Sequence, residues 1–192
     1  MALQLNAPGE HIEIDGHKIP HFREFYGQNI EEAQRVADSG RVNMGIAHLM
    51  QRRLNVRNAP ENVQSAWMDN YFDTGDAVVY HPDGRVKIVL DSQTLRDMTP
   101  NTQRNGGALV LTEDVYNALE GEEFKKGKFG KTGEWLSRDE VKSHSVWKVL
   151  ARDQGLLNDY ADFIFAEGKE RSNYDAGMGV FLGSANGDNP EM

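Results

Sequence analysis

The stretch Val78 to Leu90 reads VVYHPDGRVKIVL, and it limits the fold more than any other part of the chain. Two apolar runs flank Pro82-Asp83-Gly84. Pro82 pre-sets the φ of the first corner of a type I turn, and Asp83 suits the second. Gly84 takes the left-handed position that closes such a turn with a bulge. That geometry sets His81 opposite Arg85, Tyr80 opposite Val86, Val78 opposite Ile88 and Asp76 opposite Leu90. The other side pairs Val79 with Lys87 and Ala77 with Val89. One side is mostly apolar and the other mixed, so a sheet with one covered side is expected. A lone hairpin is marginal in water, so other elements must cover the apolar side.

The remaining sequence can supply them. The 192 residues suit one globular domain spanning 1–192, with 1–10 and 184–192 as loose ends. Three Trp, eight Phe and six Tyr, in a chain that is 39% hydrophobic, can anchor a core and argue against wholesale disorder. A formal net charge of −9 favours solubility and disfavours nonspecific adhesion to nucleic acid or anionic lipid. With no cysteine, disulfides, thiolate catalysis and cysteine-ligated zinc are excluded. No apolar run approaches the roughly 20 residues of a membrane helix. The start, MALQLNAPGEHIEIDG, lacks the basic and apolar blocks of a secretory signal. A soluble, cytoplasmic protein is the expectation.

Along the chain, Asp15-Gly16 marks a short hairpin over His11 to Ile19. Asn29 with Glu32 starts a helix that Ser39-Gly40 ends. Val42, Ile46, Leu49 and Met50 recur at helical spacing, so a second helix runs to about Leu54. Pro60 opens a third, with Val63, Ala66, Trp67 and Tyr71 as its apolar face. A helical turn spans Ser92 to Met98, and Ala108 to Leu111 reads as a buried strand. Thr112 caps a helix through Leu119. Ser137 with Glu140 forms a capping box, and helical patterns recur almost to Arg171. Met178 to Leu182 reads as a final strand. Strands and helices do not alternate strictly, so the fold class is α+β: a small, mainly antiparallel sheet centred on 76–91, with helices packed against it.

Chemistry has few footholds. Gly127-Lys128-Phe129-Gly130-Lys131-Thr132-Gly133 suggests a phosphate loop, but Lys125 stands where the pattern needs its first glycine, and no helix begins directly after it. The same segment still gathers Lys125, Lys126, Lys128 and Lys131 with Phe124, Phe129 and Trp135. Cations with aromatics can bind phosphates and stack bases, whereas a plain solvated lysine face would turn its aromatics inward. His81 and Arg85 at the hairpin tip offer a second contact surface. Arg52, Arg53 and Arg57 form another basic group, explained equally by a helix C-terminus that favours cations. Near the start, His11, Asp15, His17 and His21 form an oxygen-and-imidazole set that suits zinc or manganese, with no HExxH pair to fix two ligands. Asp159, Asp162 and Glu167 lie on the last helix, where a solvated face accounts for them. No GxSxG elbow is present. Gly177 to Gly183 misses the dinucleotide spacing by one residue.

Three stretches carry a likeness: HPDGRVKIVLDS at 81–92, GALVLTEDVYNALEGEEF at 107–124 and WKVLARDQGLLNDYADFIFAEGKER at 147–171. Together they resemble a group of proteins of uncharacterised activity from small-genome (DPANN-type) archaea, over residues 25–185. These are hairpin and helix residues, so the resemblance implies a fold and carries no activity, cofactor or site. The leading expectation is a non-enzymatic binding module contacting another protein or a polyanion, but no membrane, through Lys125 to Lys131 and then through His81 and Arg85. The rival expectation is a metal-dependent hydrolase or nuclease using His11, Asp15, His17 and His21. A third is a structural subunit whose partner covers an apolar surface.

Overall fold

The structure is a computed structural model that describes residues 3–14, 16–26, 29–105, 108–125, 135–172 and 177–179. In chain order, β1 (His11–Ile14) and β2 (His17–Pro20) form a hairpin, followed by α1 (Asn29–Asp38), α2 (Ile46–Asn55) and α3 (Glu61–Met68). The central hairpin, β3 (Ala77–Tyr80) and β4 (Arg85–Val89), leads into the single turn α4 (Gln93–Arg96). Next, β5 (Arg104–Asn105) and β6 (Ala108–Leu109) pair, α5 (Glu113–Ala118) follows, and β7 (Glu122–Lys125) returns to β4. Finally β8 (Trp135–Leu136) precedes α6 (Arg138–Ser143), α7 (Ser145–Ala151) and α8 (Gln154–Ser172), and pairs with β9 (Met178–Gly179). The main sheet has the order β3-β4-β7 and is antiparallel throughout, so the fold is α+β.

The central hairpin has the register that its turn residues dictate. Ala77 lies opposite Val89, Val78 opposite Ile88, Val79 opposite Lys87 and Tyr80 opposite Val86. The His81 N–H donates to the Arg85 carbonyl at 2.9 Å, the Gly84 N–H to the His81 carbonyl at 3.0 Å, and Gly84 has φ +94°. On one side of the sheet Val86 and Ile88 are fully buried against Val146 and Leu150 of α7. The mixed side is covered as well, which its alternation does not announce. There α5 lies over Lys87, whose ammonium donates to the carbonyls of Tyr116 at 2.9 Å and Leu119 at 3.0 Å. A lysine only 8% exposed is thus satisfied by the negative end of a short helix, with the Tyr116 ring 4.6 Å from its nitrogen. Gly121 makes the return to the sheet feasible: a Cβ there would stand 2.3 Å from the Ile88 carbonyl oxygen.

The helices form two further clusters. Met50, Val141, Ala151, Leu157, Tyr160 and Ala161 join α2, α6, α7 and α8. Leu49, Val56, Val63, Ala66 and Trp67 join α2 and α3. Residues 3–10, expected as a loose lead-in, are tied to this second cluster. Leu5 is buried, and its carbonyl accepts from Trp67 Nε1 at 2.7 Å and from Arg52 at 2.9 Å. Arg52 also grips the Glu10 carboxylate, and its guanidinium lies 4.7 Å from the Phe22 ring and 5.2 Å from that of Trp67. The lead-in holds because it brings an apolar anchor and a carboxylate to a buried cation, two terms that polar composition alone conceals.

Two smaller expectations change. Tyr71 is fully exposed, since α3 stops at Met68 and the apolar stripe ends there. Ala108 to Leu111 is not a buried strand: β6 has two residues, and Val110 is exposed. Of the expected final strand, Met178–Gly179 is a strand, and 180–192 lie outside the described residues. By contrast, Thr112 caps α5 and the Ser137–Glu140 box opens α6, as their spacing dictates.

Asp76 knots the open end of the hairpin. Its carboxylate accepts from the Ile46 N–H at the start of α2 at 2.6 Å, from the Asp91 N–H at 3.0 Å and from the Arg152 guanidinium at 2.9 Å. Arg152 also donates to Asp91 at 2.8 Å, which holds the Asp91 carboxyl below the usual carboxylate range. Asp91 and Arg152 have φ of 51° and 61°, the left-handed non-glycine residues among those described. Gly45 leaves room, since a Cβ there would meet Arg152 at 3.0 Å. Among the described residues, no helix is long and apolar enough to cross a membrane.

Candidate binding surface at the hairpin tip

Strand β7 joins two segments that are 40 positions apart at their ends, Arg85 and Lys125, by setting them directly opposite each other. Opposed residues share a face of a sheet, so His81, Arg85 and Lys125 form a row across its three strands. Lys125, the first residue of one surface singled out in the sequence, therefore lies beside His81 and Arg85 of the other. Lys126, Lys128 and Lys131 lie outside the described residues.

The row is not uniformly available. His81 is 13% exposed and sits between two carboxylates, with Nδ1 2.7 Å from Asp83 and Nε2 2.6 Å from Glu113. The Glu113 hydrogen bond is the chief reason its imidazole is held protonated to higher pH than usual, and Asp83 adds to it. Arg85 donates through Nε to Asp83 at 2.7 Å and approaches Glu123 at 3.5 Å and Glu113 at 3.7 Å. Its backbone N–H also donates to Asp83 at 2.9 Å, the leading cause of an Asp83 pKa lowered to about 2. Tyr116 lies beside His81 with ring centroids 4.8 Å apart and the rings tilted by 51°, and it donates to Glu123 at 3.1 Å. Burial, first, and that carboxylate push its hydroxyl up to about 12.

Three carboxylates thus consume the charge of His81 and Arg85 and clasp the tip to α5. Lys125 takes part in none of these pairs, and it is exposed. Of the aromatics interleaved with the lysines, Phe124 packs toward Val86 and Ile88 on the opposite face, whereas Trp135 is 61% exposed. Phe129 lies outside the described residues. Glu113, Glu123 and Tyr116 carry no local signal of this role in the sequence. Glu113 follows a helix cap and reads locally as a partner of the helix dipole, and nothing local shows that His81, 32 positions earlier, is its partner.

The N-terminal set is arranged differently. Register puts His11 with Glu13 on one face of the β1–β2 hairpin and His17 on the other. His11 Nδ1 lies 3.0 Å from the Gly9 carbonyl, and His21 Nδ1 lies 3.6 Å from Glu10. Asp15 lies outside the described residues. Among the described residues no three His, Asp or Glu side chains gather as a cation would need. On α8, Asp162 pairs with Lys142 at 2.6 Å, and Glu167 with Arg171 at 3.1 Å.

Compared with protein-family models, curated proteins and solved structures, the chain matches none.

Proposed function

We propose that this chain is a cytoplasmic, non-enzymatic binding module that contacts a polyanion through a cationic ridge starting at Lys125. The observation that carries this reading is the pairing of Lys125 with Arg85 across the sheet. It holds Lys125, the first cation of the lysine-rich segment 125–131, on a paired strand before any ligand arrives. The carboxylates around Arg85 and His81 serve this arrangement. They hold the tip rigid and leave Lys125 as the cation with no acidic partner in the cluster. A chain with a net charge of −9 repels polyanions elsewhere, which directs them to this end.

Isothermal titration against single-stranded RNA, single-stranded DNA and heparin tests the reading. Reversing Lys125, Lys126, Lys128 and Lys131 to Glu abolishes binding if it holds. In the unaltered chain, log K against log salt has a slope of roughly −0.7 for each phosphate neutralised on a single strand. Binding that survives the reversal, or no binding by any of the three polymers, would exclude the ridge.

A further inference from the structure

A cleft of about 490 Å³ opens between α2 and α8, far along the chain from the ridge. Its floor is Leu54 and Phe163, both partly buried against the core, and its rim carries Gln51, Asn55, Arg57 and Asp159. The volume falls in the range of small-molecule sites, roughly 300–1,000 Å³.

Charge is distributed unevenly around it. Asp162, also on the rim, is spent on Lys142 at 2.6 Å and Arg138 at 3.6 Å. Arg57 and Asp159 enter no side-chain hydrogen bond or ion pair among the described residues, although their charges are opposite and they share one cleft. Two such groups left without a partner over an apolar floor match a ligand that brings one charge of each sign. The walls do not need to form around it. Arg53 of α2 donates to the Tyr160 hydroxyl of α8 at 2.9 Å and to the Trp67 carbonyl at 2.8 Å, which fixes the spacing of the helices. Gln51 donates to the Asn55 side-chain oxygen at 3.1 Å, which orients that amide on the rim.

We infer that the α2–α8 cleft binds a small zwitterion with an apolar side chain, a free amino acid or a dipeptide. Arg57 takes its carboxylate, Asp159 its ammonium group, and Leu54 with Phe163 its side chain. The site stands apart from the polyanion ridge, and neither depends on the other.

Titration of the full chain with L-leucine, L-phenylalanine and Leu-Leu, followed by amide chemical shifts in NMR spectra, tests it. N-acetyl-leucine and leucinamide, each lacking one charge, serve as matched controls. The expected result is saturable binding of a zwitterion, with shifts confined to α2 and α8, and affinity about tenfold weaker for both one-charge analogues. Arg57→Ala should weaken the zwitterion about tenfold and leave leucinamide unchanged. Asp159→Asn should weaken the zwitterion equally and leave N-acetyl-leucine unchanged. Both positions are exposed, so folding is not at risk. Reversing Lys125 should have no effect on any of these affinities. Absence of saturable binding overturns the assignment, and so does binding indifferent to both substitutions or equal for zwitterion and analogues.

Discussion

Two charged knots sit at opposite ends of the central hairpin, and they are built on different principles. At the open end Asp76 is 2% exposed, and two of its three donors are backbone N–H groups. At the tip, His81 and Arg85 meet Asp83, Glu113 and Glu123, whose side chains are 40–60% exposed. The first knot joins α2, both hairpin strands and α7, and it tolerates two left-handed non-glycine residues, each costing about 1–3 kcal/mol. Such strain persists only where the surroundings fix it. The second knot rests mainly on side chains in contact with water, so its charges can titrate, and it borders the surface assigned to binding. Burial with backbone donors fixes geometry; exposure with side-chain partners leaves charge that responds to the medium.

The sharpest break in that comparison is Asp76→Ala. Removing the buried carboxylate takes the acceptor from the Ile46 and Asp91 N–H groups and leaves Arg152 with Asp91 alone, at a cost of about 1–3 kcal/mol for each donor left unsatisfied. Urea unfolding should show this as a lower midpoint with an unchanged slope. Asp76→Asn keeps an acceptor for the backbone donors and should recover part of the loss. A cost below about 1 kcal/mol for the alanine variant would place Asp76 with ordinary surface carboxylates.

Lys87→Met comes next. The apolar stem survives, but the carbonyls of Tyr116 and Leu119 lose their charged donor, for about 1.5–3 kcal/mol. Hydrogen exchange should quicken in α5 ahead of α7, because α5 alone ends on this lysine. Uniform quickening across both helices would mean that Lys87 supports the sheet rather than the helix.

What could be read from the chain follows from distance along it. The hairpin, its register, the Thr112 cap and the Ser137–Glu140 box each depend on residues within a few positions, and all are present. The cover over Lys87 was hidden, because a lysine in an alternating strand reads as solvent-facing until a helix C-terminus is known to lie above it. Arg152 and Asp76 are 76 positions apart, and Arg52 and Glu10 are 42 apart, so no local pattern announces either pair. At the candidate surface, the residue types were visible and their neutralisation was not. His81 and Arg85 look like contact residues in the sequence, and their carboxylate partners turn them into a clasp.

Arg85→Ala probes that clasp with a smaller effect. Its partners are partly exposed, so the loss should be smaller than for Lys87→Met, even with its contact to the Tyr116 ring at 5.2 Å. Polyanion affinity should fall less than it does for reversal of Lys125 alone. A larger fall would make Arg85 a direct contact and its ion pairs secondary.

The smallest effect is set by pH. Glu113, first, and Asp83 raise the His81 pKa above its ordinary 6.5, so its contribution to stability is complete below that value and disappears as pH rises through the folded-state pKa. The carboxylates act in the opposite direction. Asp83, lowered to about 2 chiefly by the Arg85 N–H, and Glu113, lowered chiefly by His81, contribute above their unfolded values of 3.8 and 4.5, and that contribution fades as pH falls. The clasp is therefore tightest in mildly acidic solution, above those carboxylate values and below 6.5. His81→Gln keeps the shape of the side chain without its charge. The difference in urea midpoint between this variant and the unaltered chain should be larger at about pH 5.5 than at about pH 8.5. Equal differences at the two pH values would mean that His81 holds the tip by packing on Tyr116, and the tip would then resemble the Asp76 knot in kind.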